Sequence, residues 1–159
     1  MSEFREVRRR DRAVDEQDAR EILARAGYGV LATVGTDGWP YAVPVNHVLD
    51  GGVIYLHSAR HGHKLDNIAR EERVCYCAVA SAEVLPLELA MLYESAIVFG
   101  RATVVDDPAE RRRAMELLAL RFCDAITPEA EREIAKDGPR AAIVRIDIER
   151  ITGKARRRE

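Results

Sequence analysis

Between Tyr28 and Ser58 the chain holds three strand-like runs with almost nothing between them. YGVLATV (Tyr28 to Val34), YAVPVNHVL (Tyr41 to Leu49) and VIYLHS (Val53 to Ser58) are apolar and rich in β-branched residues. Only GTDGWP separates the first from the second, and only DGG the second from the third. A parallel pair needs a crossover of about a dozen residues or more, whereas antiparallel strands need only a tight turn. The spacing therefore excludes a doubly wound parallel sheet here and dictates hairpins. Asp37-Gly38 supplies the turn chemistry of the first one.

The remaining pattern adds helices around this sheet. Asp15 to Ala26 reads as a helix, with Ile22, Leu23 and Ala26 on one face, an Asp at the start and Gly27 as its stop. A short helix from about His63 to Arg70 turns Leu65, Ile68 and Ala69 inward. RVCYCAVA (Arg73 to Ala80) is a fourth strand, and YESAIVFGRATVV (Tyr93 to Val105) a fifth. The stretch Ser81 to Leu92, broken by Pro86, has no single reading. Asp107 caps a helix with Pro108 in its first turn, running to about Phe122. Thr127-Pro128 opens another, which Gly138-Pro139 closes. AAIVRIDIERI (Ala141 to Ile151) alternates as a sixth strand. The expected fold class is mainly β with peripheral helices (α+β): a six-stranded antiparallel Greek-key barrel. One domain over residues 1–159 is expected, with 1–12 and 155–159 as flexible tails.

Composition narrows the function classes. With 159 residues, 33% charged and a net charge of −2, the chain has no global pull toward nucleic acid or membrane. No apolar run is long enough to span a bilayer, and the start lacks a signal-peptide pattern. Three cysteines make a closed disulfide framework an unsuitable reading. Cys75 and Cys77 fall on one face of their strand and are expected as core thiols. A reducing, cytoplasmic setting is expected. The charged runs REVRRRDR and KARRRE read as solvated ends.

One segment concentrates chemistry. LHSARHGHKLDNIAR (Leu56 to Arg70) holds three of the four histidines beside a serine, a glycine and a lysine. A metal would use His57, His61 and His63, but Lys64 places a positive charge among them and no recognised ligand spacing is completed. No metal is expected. An anion explains more: Gly62 permits a tight turn, a helix starts immediately after it, and a helix start offers unpaired N–H groups and a positive dipole end. Lys64, Ser58 and His63 add donors. A polar turn with a solvated lysine would show the same residues. Pro40 and Pro44 interrupt an otherwise strand-like run, which marks an edge or a bulge. Its free backbone groups could meet a flat heterocycle, or simply water.

In this order the segments resemble the FMN-binding split-barrel superfamily, whose best-known member is pyridoxamine 5′-phosphate oxidase. The resemblance covers nearly the whole chain. It runs from GVLATVGTDGWPYAVPV through the strand ending in HS, GHKLDNI, RVCYCAV and YESAIVFGRA to the closing ITGK. GHKLDNI and ITGK are most similar to the branch of nitroimidazole-resistance (Nim) flavoproteins. The resemblance implies a six-stranded split barrel and a homodimer with FMN at the subunit interface. By position, Ala42, Val43, Pro44, Val45, Asn46 and His47 would line the isoalloxazine. His57 and Ser58 would approach the phosphate or ribityl chain, His63 and Lys64 would hold the phosphate, and Ser95 would be a polar contact from the fifth strand. His63 also matches the Nim branch's histidine near the flavin, which makes it the catalytic candidate. The chain departs from the oxidase at its end, where ITGKARRRE lacks the aromatic and arginine pair for the vitamin B6 phosphate.

Two functions follow. The first is an FMN-dependent oxidoreductase that reduces a small aromatic or nitro compound. NADH or NADPH would dock transiently as its donor, since no dinucleotide-binding glycine fingerprint is present. The second is a non-catalytic flavin-binding or sensor protein. His47 or His63 could supply a proton, and Tyr41 or Trp39 could stack on ring or substrate.

Overall fold

A computed structural model of the chain describes residues 4–158. Its elements are β1 (Ala13–Val14), α1 (Glu16–Arg25), β2 (Gly29–Val34), β3 (Pro40–Val45), β4 (His47–Asp50), β5 (Val53–Ala59), α2 (His63–Arg70), β6 (Arg73–Leu85), β7 (Ala90–Val104), α3 (Pro108–Leu120), α4 (Pro128–Asp137) and β8 (Ala141–Arg156). All strand pairs are antiparallel, in the order β3-β2-β6-β7-β8-β5-β4, with β1 added to β8. β3 and β4 are consecutive in the chain yet lie at opposite ends of this order. The sheet therefore curls until its two edges meet at Asn46, where the chain, and not a hydrogen-bond ladder, closes the barrel.

The fold class is the expected one, with eight strands in place of six. The run YAVPVNHVL, expected as one strand, is two: β3 pairs only with β2, and β4 only with β5. The proline-bearing β3 is an edge, as proline's missing N–H requires. β1 is the other addition. β6 and β7 extend through the ambiguous Ser81–Leu92 stretch on both sides of a 3₁₀ turn at Pro86–Glu88.

Strand alternation fills the barrel with Leu31, Ile54, Leu56, Tyr76, Ala78, Ala96, Val98, Val144 and Ile146. α1 closes one side with Ala19, Ile22 and Leu23; Asp15 caps it by accepting the Asp18 N–H at 2.8 Å. Its close seat depends on Gly153, where a Cβ would stand 2.8 Å from the Ala19 Cβ. The helix ends on Ala26 in extended backbone, so the stop expected of Gly27 is not used. α3 packs outside the barrel, where Ala114 and Leu118 cover Tyr55, Val105 and Ile143. Arg111 ties it down by donating to the Gly138 and Ala141 carbonyls at 2.8 Å.

Two further expectations are corrected, those on Cys75 and Cys77 and on Ala69, and the two ends make contacts with the barrel. Cys75 and Cys77 are half-buried on the outer row of β6, because Val74, Tyr76 and Ala78 take the inner row. Ala69 is exposed, and Asn67 takes the inward place on α2 beside Leu65 and Ile68. The ends expected as tails lie against the barrel: Phe4 stacks on Phe99 at 5.3 Å, Arg150 bonds Glu6, and β8 runs to Arg156. Residues 1–3 and 159 lie outside the described residues. No helix among the described residues is long and apolar enough to cross a membrane.

Candidate functional site

The start of α2 is built as expected for an anion site. Gly62 has φ +142°, a conformation that favours glycine, and swings the chain from β5 into the helix. Its carbonyl accepts the N–H groups of Leu65 and Asp66 at 2.9 and 3.2 Å. The N–H groups of His63 and Lys64 precede these and have no acceptor within the helix, so they present the positive end of the dipole. His63 is exposed and Lys64 half-buried. The His63 ring lies on Tyr41, with centroids 4.1 Å apart and planes at 34°.

A buried polar bond fixes this helix. Asn67 donates through Nδ2 to Thr33 Oγ1 at 2.9 Å, with both residues 2% exposed. Replacing Asn67 by Ala strands the Thr33 hydroxyl and should cost about 1–3 kcal/mol, read as a lower denaturation midpoint at unchanged slope. A midpoint equal to that of the parent chain would remove the clamp. The sequence carries a signal for this bond, since Thr33 is polar on the inward row that also holds Leu31.

The other sequence-predicted residues divide sharply. Ala42 and Pro44 are exposed on the outer row of β3, while Val43 and Val45 pack on the core. Asn46 is exposed at the barrel corner. His47 is fully buried and points inward: Nε2 bonds the Leu23 carbonyl at 2.7 Å and Nδ1 meets the Tyr76 hydroxyl at 2.9 Å. Burial lowers its pKa to about 4, against the pull of the Leu23 carbonyl and with help from the Arg121 charge. Both ring nitrogens are engaged within the fold, so in the single chain His47 sits in the core.

His57 and Ser58, expected as a pair, project to opposite faces, as neighbours in a strand must. Ser58 is buried and donates to the Ala59 carbonyl at 2.8 Å. His57 is exposed in a groove of 260 Å³ bounded by Met115, Leu118, Phe122 and Ile134. Ser95 lies on the outer row of β7, paired with Val79 and Lys154. Through the pairing of Gly29, Ala78 and Ala96, Ser95 is level with Tyr28. Thr33, which carries α2, is five residues further along β2, roughly 17 Å at the usual rise per residue. One chain therefore brings Tyr41 and His63 into contact, with Lys64 next in the same helical turn, and leaves Ser95 at the other end. Among the described residues no three metal-ligating side chains gather.

Between these ends lies an open apolar face. Val30 and Ala32 of β2, Cys75, Cys77 and Val79 of β6, and Ile97 and Phe99 of β7 form adjacent outward rows beside Ala42 and Pro44. Burial raises both thiols above their ordinary pKa, so Cys75 and Cys77 stay protonated.

This curled sheet, split between β3 and β4 and capped by α1, is a split barrel of the α+β class. The chain belongs to the pyridoxamine 5′-phosphate oxidase family, whose model matches residues 15–155. Similar solved structures include the flavocytochrome Anf3 from Azotobacter vinelandii, with TM-score 0.82 and 17% identity over 99% of this chain and 75% of that one. Another is the FAD and heme binding protein from Mycobacterium smegmatis, with TM-score 0.74 and 22% identity over 89% and 71%. A third is a protein assigned provisionally to 5-nitroimidazole antibiotic resistance from Bacteroides thetaiotaomicron, with TM-score 0.74 and 21% identity over 89% and 85%. At these identities the likeness is one of fold. No curated protein matches the chain in sequence.

Proposed function

We propose that the chain is an FMN-binding flavoprotein that acts as an oxidoreductase on a small aromatic or nitro compound. The observation that carries this reading is the start of α2, where the His63 and Lys64 N–H groups have no acceptor within the helix, the His63 ring lies against Tyr41, and Lys64 follows in the same turn. That donor set suits a dianionic phosphate. The small outward side chains of Ala42 and Pro44 leave the neighbouring strand free for a flat ring. Kinship with a family named for an oxidase, and likeness in fold to a flavocytochrome and an FAD-binding protein, favour a flavin over other phosphates.

When bound, the flavin supplies the two-electron chemistry. This chain's residues hold the phosphate through Lys64 and the α2 N–H groups, set the helix through Asn67, and exclude water with the apolar rows. The His63 ring is exposed, and its contact with Tyr41 orients it for moving a proton.

We place the ring at the interface of a homodimer. The outward rows of Val30, Cys77 and Ile97 are apolar without interruption, and Ser95 reaches a phosphate held at α2 only if the two belong to different subunits.

The test is the purified protein itself. Flavin absorption, with the released cofactor separating as FMN and not FAD, is the expected result. Lys64→Ala should weaken FMN binding by about 1–3 kcal/mol, measured by fluorescence titration; unchanged affinity in the folded variant would sink the assignment. Anaerobic reduction followed by mixing with a nitroaromatic or quinone should reoxidise the flavin. No reaction with any acceptor, and none with NADH or NADPH, would make it a flavin-binding protein without turnover. Pyridoxamine 5′-phosphate should be oxidised slowly or not at all.

A further inference from the structure

The outward face of the sheet does not end with the barrel. β8 follows β7 only as far as Tyr93. Beyond that pair β6 and β7 continue alone as a two-stranded arm, 83–85 against 90–92, joined by the 3₁₀ turn at Pro86–Glu88. A bulge between Val79 and Ser81 sets the arm off from the barrel. A ribbon of two strands is marginal in water unless one of its faces packs on something. This one shows such a face. Val84 and Met91 pair across it and continue the outward row of Tyr93, Ser95 and Ile97; Val84 is 67% exposed and Met91 43%. Leu87 and Leu89 stand almost wholly in water at the tip. Leu89 takes φ +47°, the left-handed region that favours glycine, so the turn holds a leucine in solvent against backbone strain.

The charges of the arm are matched within the chain. Glu83 pairs with Arg158 and Glu88 with Arg156, which fixes the arm's direction, while Ala82, Val84 and Met91 leave the outward side uncharged. The same kind of surface recurs at the opposite end of the face. Val34 ends the outward row of β2, and Trp39 follows in the β2–β3 turn, 73% exposed. One chain keeps these two patches apart, as it keeps Ser95 from α2. A two-fold axis that sets Ser95 of one chain against the α2 start of another must exchange the two ends of the face. Beyond Ser95 the arm runs four residues to Met91; beyond Thr33, which carries α2, the hairpin runs four residues to Asp37. Each distance is roughly 14 Å at the usual rise per residue, so Val84 and Met91 arrive level with the other copy's β2–β3 turn.

We propose that residues 82–91 form an arm that docks on the β2–β3 hairpin of a second copy of this chain, with Val84 and Met91 against the partner's Val34 and the partner's Trp39. This contact rests on the homodimer reading above, whose outward rows the arm continues on the same side of the sheet. A second copy suits the arm better than a lipid surface, because the arginines beside it already hold carboxylates and are not left for anionic headgroups. Two arms act in each dimer, and each adds the outer wall of the other chain's α2 site, which is closed only when both copies are present.

Trp39 is the one tryptophan of the chain, so its fluorescence reads the docking with no flavin and no turnover required. The parent protein should emit to the blue of free tryptophan, and dilution that dissociates the dimer should move the emission red. Val84→Asp and, separately, Met91→Asp place a carboxylate that meets water in the single chain, so both variants should fold. Each should emit in the red and raise the dimer Kd about ten- to hundredfold. Ala82→p-benzoylphenylalanine tests the contact independently, in dimers mixed from isotopically light and heavy chains: illumination should join the arm of one chain to residues 34–40 of the other. A stable dimer whose Trp39 emission is red, or is unmoved by both arm variants, overturns the arm and leaves the dimer standing. Cross-links confined to one chain, or emission that turns blue only when phosphatidylglycerol vesicles are added, would give the arm a different cover and refute the proposal. A monomeric parent removes the arm contact and the homodimer together. A flavin-free dimer with blue, arm-dependent emission keeps the arm and removes the flavoprotein reading.

Discussion

Ile97→Asp is expected to give a folded monomer that has lost most of its flavin. Ile97 sits in the middle of the open face, between Cys77 on one side and Thr152 on the other, and is 36% exposed in the single chain. A carboxylate there meets water in the monomer, so folding should suffer by no more than about 1 kcal/mol of strand preference. In a dimer closed across this face the same carboxylate would be desolvated among Val30, Cys77 and their symmetry copies. Leaving a charge buried without a partner costs several kcal/mol, enough to dissociate an ordinary dimer at micromolar concentration. Flavin occupancy should fall with it, since the ring would lose one wall. Light scattering with flavin quantified per chain reads both effects. A dimeric, fully loaded Ile97→Asp variant would move the interface elsewhere, and a monomeric parent that keeps its flavin would end the interface reading.

The sequence made some of this legible because certain signals are local. Asp37-Gly38 between two apolar runs can scarcely be anything but a hairpin, and Gly38 does take φ +80°. The helix from His63 to Arg70 is observed with those bounds, because Gly62 sets its start. The edge position of β3 follows from Pro40 and Pro44 alone. Other features depend on residues far away in sequence. VCYCAV is apolar on both rows, so nothing local says whether Cys75 or Tyr76 faces the core; α1, about fifty residues earlier, decides it by covering the Tyr76 side. The break at Asn46 rests on a single turn-forming residue in an otherwise strand-like run, too weak a local signal to divide it, and the barrel's closure bends the chain there. His57 and Ser58 could have been separated by the two-residue period of a strand; reading them as one motif hid that they face opposite ways.

His47 is the residue whose role changed most, and its titration offers the second large effect. In the fold its Nε2 holds the Leu23 carbonyl near the end of α1, and its Nδ1 shares the Tyr76 hydroxyl with the Val45 carbonyl, which lies 2.7 Å from that oxygen. Tyr76 of β6, Arg121 beyond α3 and the backbone of α1 are the groups that face it. Burial holds its pKa near 4, where an unfolded chain would show its ordinary 6.5. Above pH 6.5 both states are neutral and the residue gives no pH dependence. As pH falls from 6.5 toward 4, the unfolded chain gains a proton that the fold refuses, so stability drops by up to about 3 kcal/mol. Asp11 and Glu71, held down to about 2 mainly by hydrogen bonds from Arg9 and Arg73, lose their contribution mostly at lower pH. His47→Gln keeps a donor for the Leu23 carbonyl and removes the titration. It should therefore be less stable than the parent at pH 7 by about 1–3 kcal/mol, yet show a much flatter curve between pH 6.5 and 4.5. Denaturant unfolding across that range measures the difference, and the imidazole NMR shift reads the proton directly. A His47 ring that titrates near 6.5 in the folded chain, or parent and variant curves that run parallel, would mean that water reaches this corner of the barrel. In that case the seam at Asn46 opens far enough for His47 to meet a ligand after all.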